Sequence, residues 1–214
     1  MTSTIDTTTL LAWITGFRDA VTEKREWLTE LDSAIGDADH GANLARGMDA
    51  VVEKLGAGAP ATVDELLKGV GMTLVSSVGG ASGPLYGTFF LRMGMAAGAV
   101  DSLDGAALAA ALRAGLEGIV ARGKPEAGDK TMFDAMAPAV DALDESLAGG
   151  ADLSVALAAA AEAAAAGRDA TLPLVAKKGR ASYLGERSAG HLDPGAASTA
   201  MLFASLSSAI AGAS

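Results

Sequence analysis

The chain of 214 residues has no cysteine, only two histidines, and aromatic side chains at 4% of positions. Without cysteine there can be no disulfide, thiolate zinc site or cysteine nucleophile. Two histidines do not make a conventional zinc site alone, although zinc shared with carboxylates is formally open. With half of the residues hydrophobic and so few aromatic, alanine, leucine and valine must supply the core. Small side chains let helices approach closely, which favours a helical bundle over a sheet protein. A formal net charge of −10 leaves no basic surplus for general nucleic-acid binding, and any anion site must be built locally. The N-terminus lacks the basic start and apolar run of a signal peptide. Residues 69–91 and 194–214 carry no formal charge, but the first holds six glycines and a proline and the second is Ala/Ser-rich. Buried helices account for both better than membrane spans. The chain reads as one cytoplasmic domain over residues 1–214.

Apolar residues then place eight helices. Leu10, Ile14, Phe17, Val21, Leu28 and Leu31 form one stripe of a long first helix over 6–31. A second starts near Ala42 and ends in the Gly/Ala/Pro run at 56–60. Thr62 and Glu65 have the spacing of a capping box that opens the third. The glycine-rich stretch 79–84 breaks it, and the fourth carries Tyr86, Phe89, Phe90, Met93 and Met95. Asp104 can cap the fifth, Met132 and Met136 begin the sixth, an alanine-rich seventh follows 152–154, and the last covers 196–211. Short connections between all of them predict an all-α, antiparallel up-and-down arrangement. In that topology the connections after helices one, three, five and seven share an end. They are 32–43, 79–84, 122–131 and 177–195, the least ordinary stretches of the chain.

The first of these holds Asp32, Asp37 and Asp39, followed by His40 and Asn43. Three like charges so close repel one another unless a cation neutralises them, and carboxylate oxygens suit magnesium. In a continuous helix Asp37 would point away from the other two, so Gly36 must interrupt the helix for the three to converge. The spacing matches neither an EF-hand, which would need a carboxylate at Met48, nor a P-loop, which would need Lys-Ser/Thr at Ala42-Asn43. Gly79-Gly80-Ala81-Ser82-Gly83 can turn several backbone N–H groups towards an anion. Lys177, Lys178, Arg180 and Arg187 gather four basic residues in the longest irregular segment. Met132 and Met136 suit a core more than a cofactor wall. His40 could hydrogen-bond a phosphoryl group, whereas the role of His191 is open. Metal, anion nest and basic loop together indicate phosphoryl transfer.

The stretch 31–43, with 77–87, 128–132, 179–185 and 193–195, resembles in order the motifs of the nucleotide-binding L domain of dihydroxyacetone kinases. The likeness covers essentially the whole chain and implies an eight-helix antiparallel barrel with the nucleotide at one end. It implies that Asp32, Asp37 and Asp39 hold two magnesium ions bridging the phosphates of ADP or ATP, with His40 and Arg180 joining the catalytic set. Nucleotide contacts then fall on His40, Gly41, Ala42, Asn43, Gly80, Ala81, Ser82, Gly123, Met132, Arg180, Asp193, Pro194 and Gly195. Ala38 stands where glycine is usual in the family.

Since nothing precedes Met1, the resemblance further implies a free-standing subunit that docks on a separate K subunit holding the hydroxyketone. ADP retained as coenzyme and recharged by a phosphohistidine-carrying M subunit of the phosphotransferase system is the expected donor arrangement. Exchange of ATP, a related substrate such as erythrulose, a homodimer, and a non-enzymatic regulatory role are the alternatives.

Overall fold

The computed structural model describes residues 4–58 and 60–212. Part of the N-terminal stretch read for a leader (1–3), Ala59 in the run ending the second expected helix, and the last two residues of the second apolar stretch lie outside them. The described chain is all-α apart from one short ladder in which β1 (Ile5–Asp6) pairs antiparallel with β2 (Ser102–Leu103).

The first expected helix is two: α1 (Thr7–Glu23) and α2 (Arg25–Ile35), divided at Lys24. Neither glycine nor proline marks the break. The apolar stripe passes from Val21 to Leu28 across exposed Lys24 and Arg25, so nothing apolar holds one straight axis there. The others follow as α3 (His40–Ala57), α4 (Val63–Ser77), α5 (Ser82–Ala97), α6 (Gly105–Gly123), α7 (Phe133–Ala148), α8 (Leu153–Ala170) and α9 (Pro194–Gly212). Asp6 caps α1, accepting from Thr9 N–H at 2.8 Å, and Asp104 caps α6 through Ala107 N–H at 2.8 Å. At α4 the expected capping box is altered. Thr62 donates its hydroxyl to Asp64 instead of accepting a backbone N–H, and Glu65 reaches back one residue further, to Ala61 N–H at 3.0 Å. The irregular segment before α9 contains a 3-10 stretch, Arg180–Ser188, which no apolar period announced.

Each helix packs on its neighbours in the chain, and α9 returns to pack on α1, closing the ring. Trp13 of α1 fixes that closure by donating its indole N–H to Leu202 O at 2.9 Å. Five of the aromatics cluster inside: Trp13–Phe90, Phe17–Tyr86 and Phe89–Phe90 ring centroids lie 5.5, 6.0 and 5.2 Å apart. Burying each such side chain contributes about 2–3 kcal/mol. Of the two uncharged stretches, the first is divided between α4 and α5 across their turn. The second is α9, which by length and composition could cross a membrane, yet half of that window is buried in the fold. The connections after α2, α4, α6 and α8 all meet at one end of the ring, where they line a single pocket.

Candidate functional site

The pocket is built first by the aspartate turn. Gly36 ends α2, and its hydrogen is all that fits: a Cβ there would sit 2.0 Å from Asp32 Oδ1. Asp32, in the last turn of α2, folds over this glycine. Its Oδ2 accepts the N–H groups of Asp39 at 2.8 Å and His40 at 3.1 Å, the first free donors of α3. Ala38 takes a left-handed conformation, φ 62°, that turns the chain back. As a result, carboxylate oxygens of Asp32, Asp37 and Asp39 lie within 4.8 Å of one another. Among the described residues the cation paired with them is Arg180, Nε 3.1 Å from Asp37 Oδ2, and its side chain is 70% exposed, so water screens the pair. Three carboxylates with one screened partner are a donor set suited to a hard divalent cation.

His40, at the start of α3, is buried between two hydroxyls: Nδ1 faces Ser82 Oγ at 3.0 Å and Nε2 faces Ser198 Oγ at 2.9 Å. Ser198 Oγ also lies 3.1 Å from Gly195 O, a carbonyl to which it can donate. A neutral imidazole donates from one ring nitrogen and accepts at the other, and a hydroxyl can serve either role, so the two serines satisfy both nitrogens of His40. Tyr86 completes the chain, its hydroxyl 2.8 Å from Ser198 Oγ and 3.0 Å from Thr199 Oγ1. Burial lowers the pKa of His40 against the opposing pull of Asp32 and Asp39, which favours the neutral ring. Burial also pushes Tyr86 up to about 12, despite its hydrogen bonds to Ser198 and Thr199.

The other three connections complete a cavity of about 360 Å³. Gly79, Gly80, Ala81 and Ser82 present the N-terminus of α5, with Gly80 at φ 68°. Leu85, Ile119, Met132 and Phe133 supply an apolar wall, and Lys178 and Arg180 stand at the basic segment. Asp193, just before α9, is buried with its Oδ2 accepting from Ala196 N–H at 2.7 Å. Burial pushes its pKa up to about 7; the Ala196 N–H opposes this, Asp134 and Asp32 add to it, and Lys130 lowers it.

Of the residues singled out in the sequence, the cavity collects Asp32, Asp37, Asp39, His40, Gly80, Ala81, Ser82, Gly123, Met132, Arg180, Asp193, Pro194 and Gly195. Gly41, Ala42 and Asn43 are not among its lining residues. Gly41 is where α3 crosses α2, since a Cβ there would stand 2.1 Å from Arg25 O. Ala42 is exposed, and Asn43 lies behind the glycine turn, accepting from Arg46 at 2.8 Å. In the basic segment, Lys177 points to Asp129 at 4.0 Å, and Arg187 is exposed away from the lining. Met136 is core. Sequence reasoning missed Ser198, Tyr86 and Thr199, whose only signal was hydroxyl groups within apolar helices. It also missed Lys130, which donates to three backbone carbonyls beside the cavity.

Residues 34–208 match the family model described as the DAK2 domain. The PEP-dependent dihydroxyacetone kinase ADP-binding subunit DhaL of Escherichia coli K12 is 50% identical over 191 residues, 89% of this chain and 91% of that protein. The PTS-dependent dihydroxyacetone kinase ADP-binding subunit DhaL of Lactococcus lactis is 44% identical over 208 residues, 97% of this chain and 99% of that protein. D-erythrulose kinase of Mycolicibacterium smegmatis is 33% identical over 86% of this chain, which spans only 32% of that longer protein. The crystal structure of C. freundii dihydroxyacetone kinase in complex with AMP-PNP and Mg2+ superimposes with a TM-score of 0.70 at 28% identity. It covers 92% of this chain, which in turn spans 33% of that one.

Proposed function

The chain belongs to the DAK2-domain family, and on that premise we propose that it is the ADP-binding subunit of a dihydroxyacetone kinase, a phosphotransferase. The observation that carries this is the meeting of Asp32, Asp37 and Asp39 with the N-terminus of α5 and Arg180 in one cavity. Asp32, Asp37 and Asp39 would hold two magnesium ions, which when bound neutralise phosphate charge and polarise the phosphoryl group. The N–H groups at 79–82 bind phosphate oxygens, His40 offers a neutral ring held in one orientation, and Arg180 closes over the anion. The apolar wall of Leu85, Ile119, Met132 and Phe133 receives the base, with Gly123, Pro194 and Gly195 at its edges.

The acceptor, dihydroxyacetone, is held on a separate K subunit, and bound ADP is recharged by a phosphohistidine-carrying M subunit. The full-length match to PEP- and PTS-dependent subunits supports this over an erythrulose kinase or exchange of ATP, because the erythrulose relative is matched over only a third of its length. Cytoplasmic placement follows from the same reading. Native mass spectrometry of the purified protein tests it and separates monomer from homodimer. ADP and two magnesium ions are expected on each chain, and Asp37→Asn should weaken ADP binding about 10- to 100-fold. No ADP binding at millimolar magnesium would overturn the reading. Binding without phosphorylation of dihydroxyacetone by the reconstituted subunits would leave a regulatory nucleotide-binding protein.

A further inference from the structure

Lysine is almost never fully buried unless its charge is matched, yet Lys130 is 1% exposed. Its three N–H donors all find main-chain oxygens: Thr171 O at 2.9 Å, Leu174 O at 3.0 Å and His191 O at 2.5 Å. Those carbonyls are the two stems of one segment. Thr171 and Leu174 lie where the chain leaves α8, and His191 lies just before α9. Two neighbouring bonds reinforce the stems, Gly190 N–H to Leu172 O at 2.8 Å and Lys177 N–H to Asp129 O at 3.0 Å. Between the stems, the 3-10 stretch that begins with Arg180 buries only Ser188. It is flanked or interrupted by Gly179, Gly185 and Gly190, all at positive φ. The arc touches α2, but its own side chains bury so little that the stems must share in setting where Arg180 stands. Lys130 is itself held at φ 63°, a conformation that disfavours a residue with a Cβ and persists where the surroundings over-determine it.

We propose that Lys130 is a positioning residue, whose ammonium ties both stems of the 171–191 segment and so carries Arg180 to Asp37. The assignment of a role in nucleotide binding rests on the proposed function; the clamp itself does not. Two measurements test it, comparing wild type with Lys130→Met. In nucleotide-free protein, amide hydrogen exchange should accelerate across 177–190 and remain unchanged in α4 and α5. In Mg–ADP titrations, Lys130→Met should weaken affinity about tenfold, in the range for groups that orient a binding residue. In an Arg180→Ala background the same change should cost less than about twofold, since the two act as one unit. Lys130→Arg keeps the charge but spreads its donors in a plane. It should show the same effects at smaller size, and carries both measurements if Lys130→Met does not fold. Unchanged exchange across 177–190, or additive losses with Arg180→Ala, would overturn the proposal. Absence of ADP binding by wild type would instead overturn the proposed function, with the exchange measurement still deciding the clamp.

Discussion

Two backbone positions in the aspartate turn make opposite demands on the side chain. At Gly36 the approach of Asp32 Oδ1, 2.0 Å from where a Cβ would be, leaves room for hydrogen alone. At Ala38, φ of 62° would suit glycine better than the alanine present. Gly36→Ala should therefore displace Asp32 from the N–H groups of Asp39 and His40 and lower magnesium and ADP affinity, while Ala38→Gly should raise stability by up to about 1 kcal/mol. Thermal melts with and without magnesium check both; a stabilising Gly36→Ala would contradict the packing described. The need for Gly36 to break the helix was legible in the sequence, because Asp32, Asp37 and Asp39 cannot share a helical face. That Asp32 itself caps α3 was not, since a long-range side-chain cap leaves no local pattern. The same holds for the Ser82–His40–Ser198 chain, whose members are 42 and 158 residues apart.

At the scale of elements, helix identity followed from apolar spacing, and the corrections occur where hydrogen bonding or packing between elements overrides it. The break at Lys24 lets α2 turn across α3, where Gly41 meets Arg25 O; a continuous stripe cannot reveal such a crossing. The four odd connections were legible because their composition set them apart, but the 3-10 stretch within the last was not, being held by its stems. Glycines inside helices mark the tight crossings. Gly71 of α4 and Gly87 of α5 face one another, each of their missing Cβ positions within 2.8 Å of the other's carbonyl oxygen. Gly71→Ala should force α4 and α5 apart and cost about 1–3 kcal/mol, the range for overpacking. Since the crossing is away from the cavity lining, ADP affinity of the folded protein should stay within about twofold of wild type, within the small variation expected of independent sites. Chemical denaturation and calorimetric titration measure the two separately.

For the whole molecule, closing the ring through Trp13 and α9 gathers costly polar groups at one end, against an already acidic chain of net charge −10. Asp193 shows the consequence. Its carboxyl faces Asp134, Asp32 and Lys130, and burial pushes its pKa up to about 7 from an ordinary 3.8. The folded state then holds this proton more tightly than the unfolded state does. The contribution of Asp193 to stability must fall as pH rises from about 4, where the unfolded aspartate ionises, to about 7, where the folded one does, and the loss is complete above that. Asp193→Asn removes the ionisation while its amide oxygen can still accept from Ala196 N–H. In magnesium-free buffer the melting temperature of the variant should therefore gain on wild type as pH increases through that window. The two curves should run parallel on either side of it. A constant offset between them across the whole range would mean that Asp193 ionises as an ordinary carboxylate. Loss of ADP affinity in the more stable variant would then mark this buried charge as a cost in stability retained for binding.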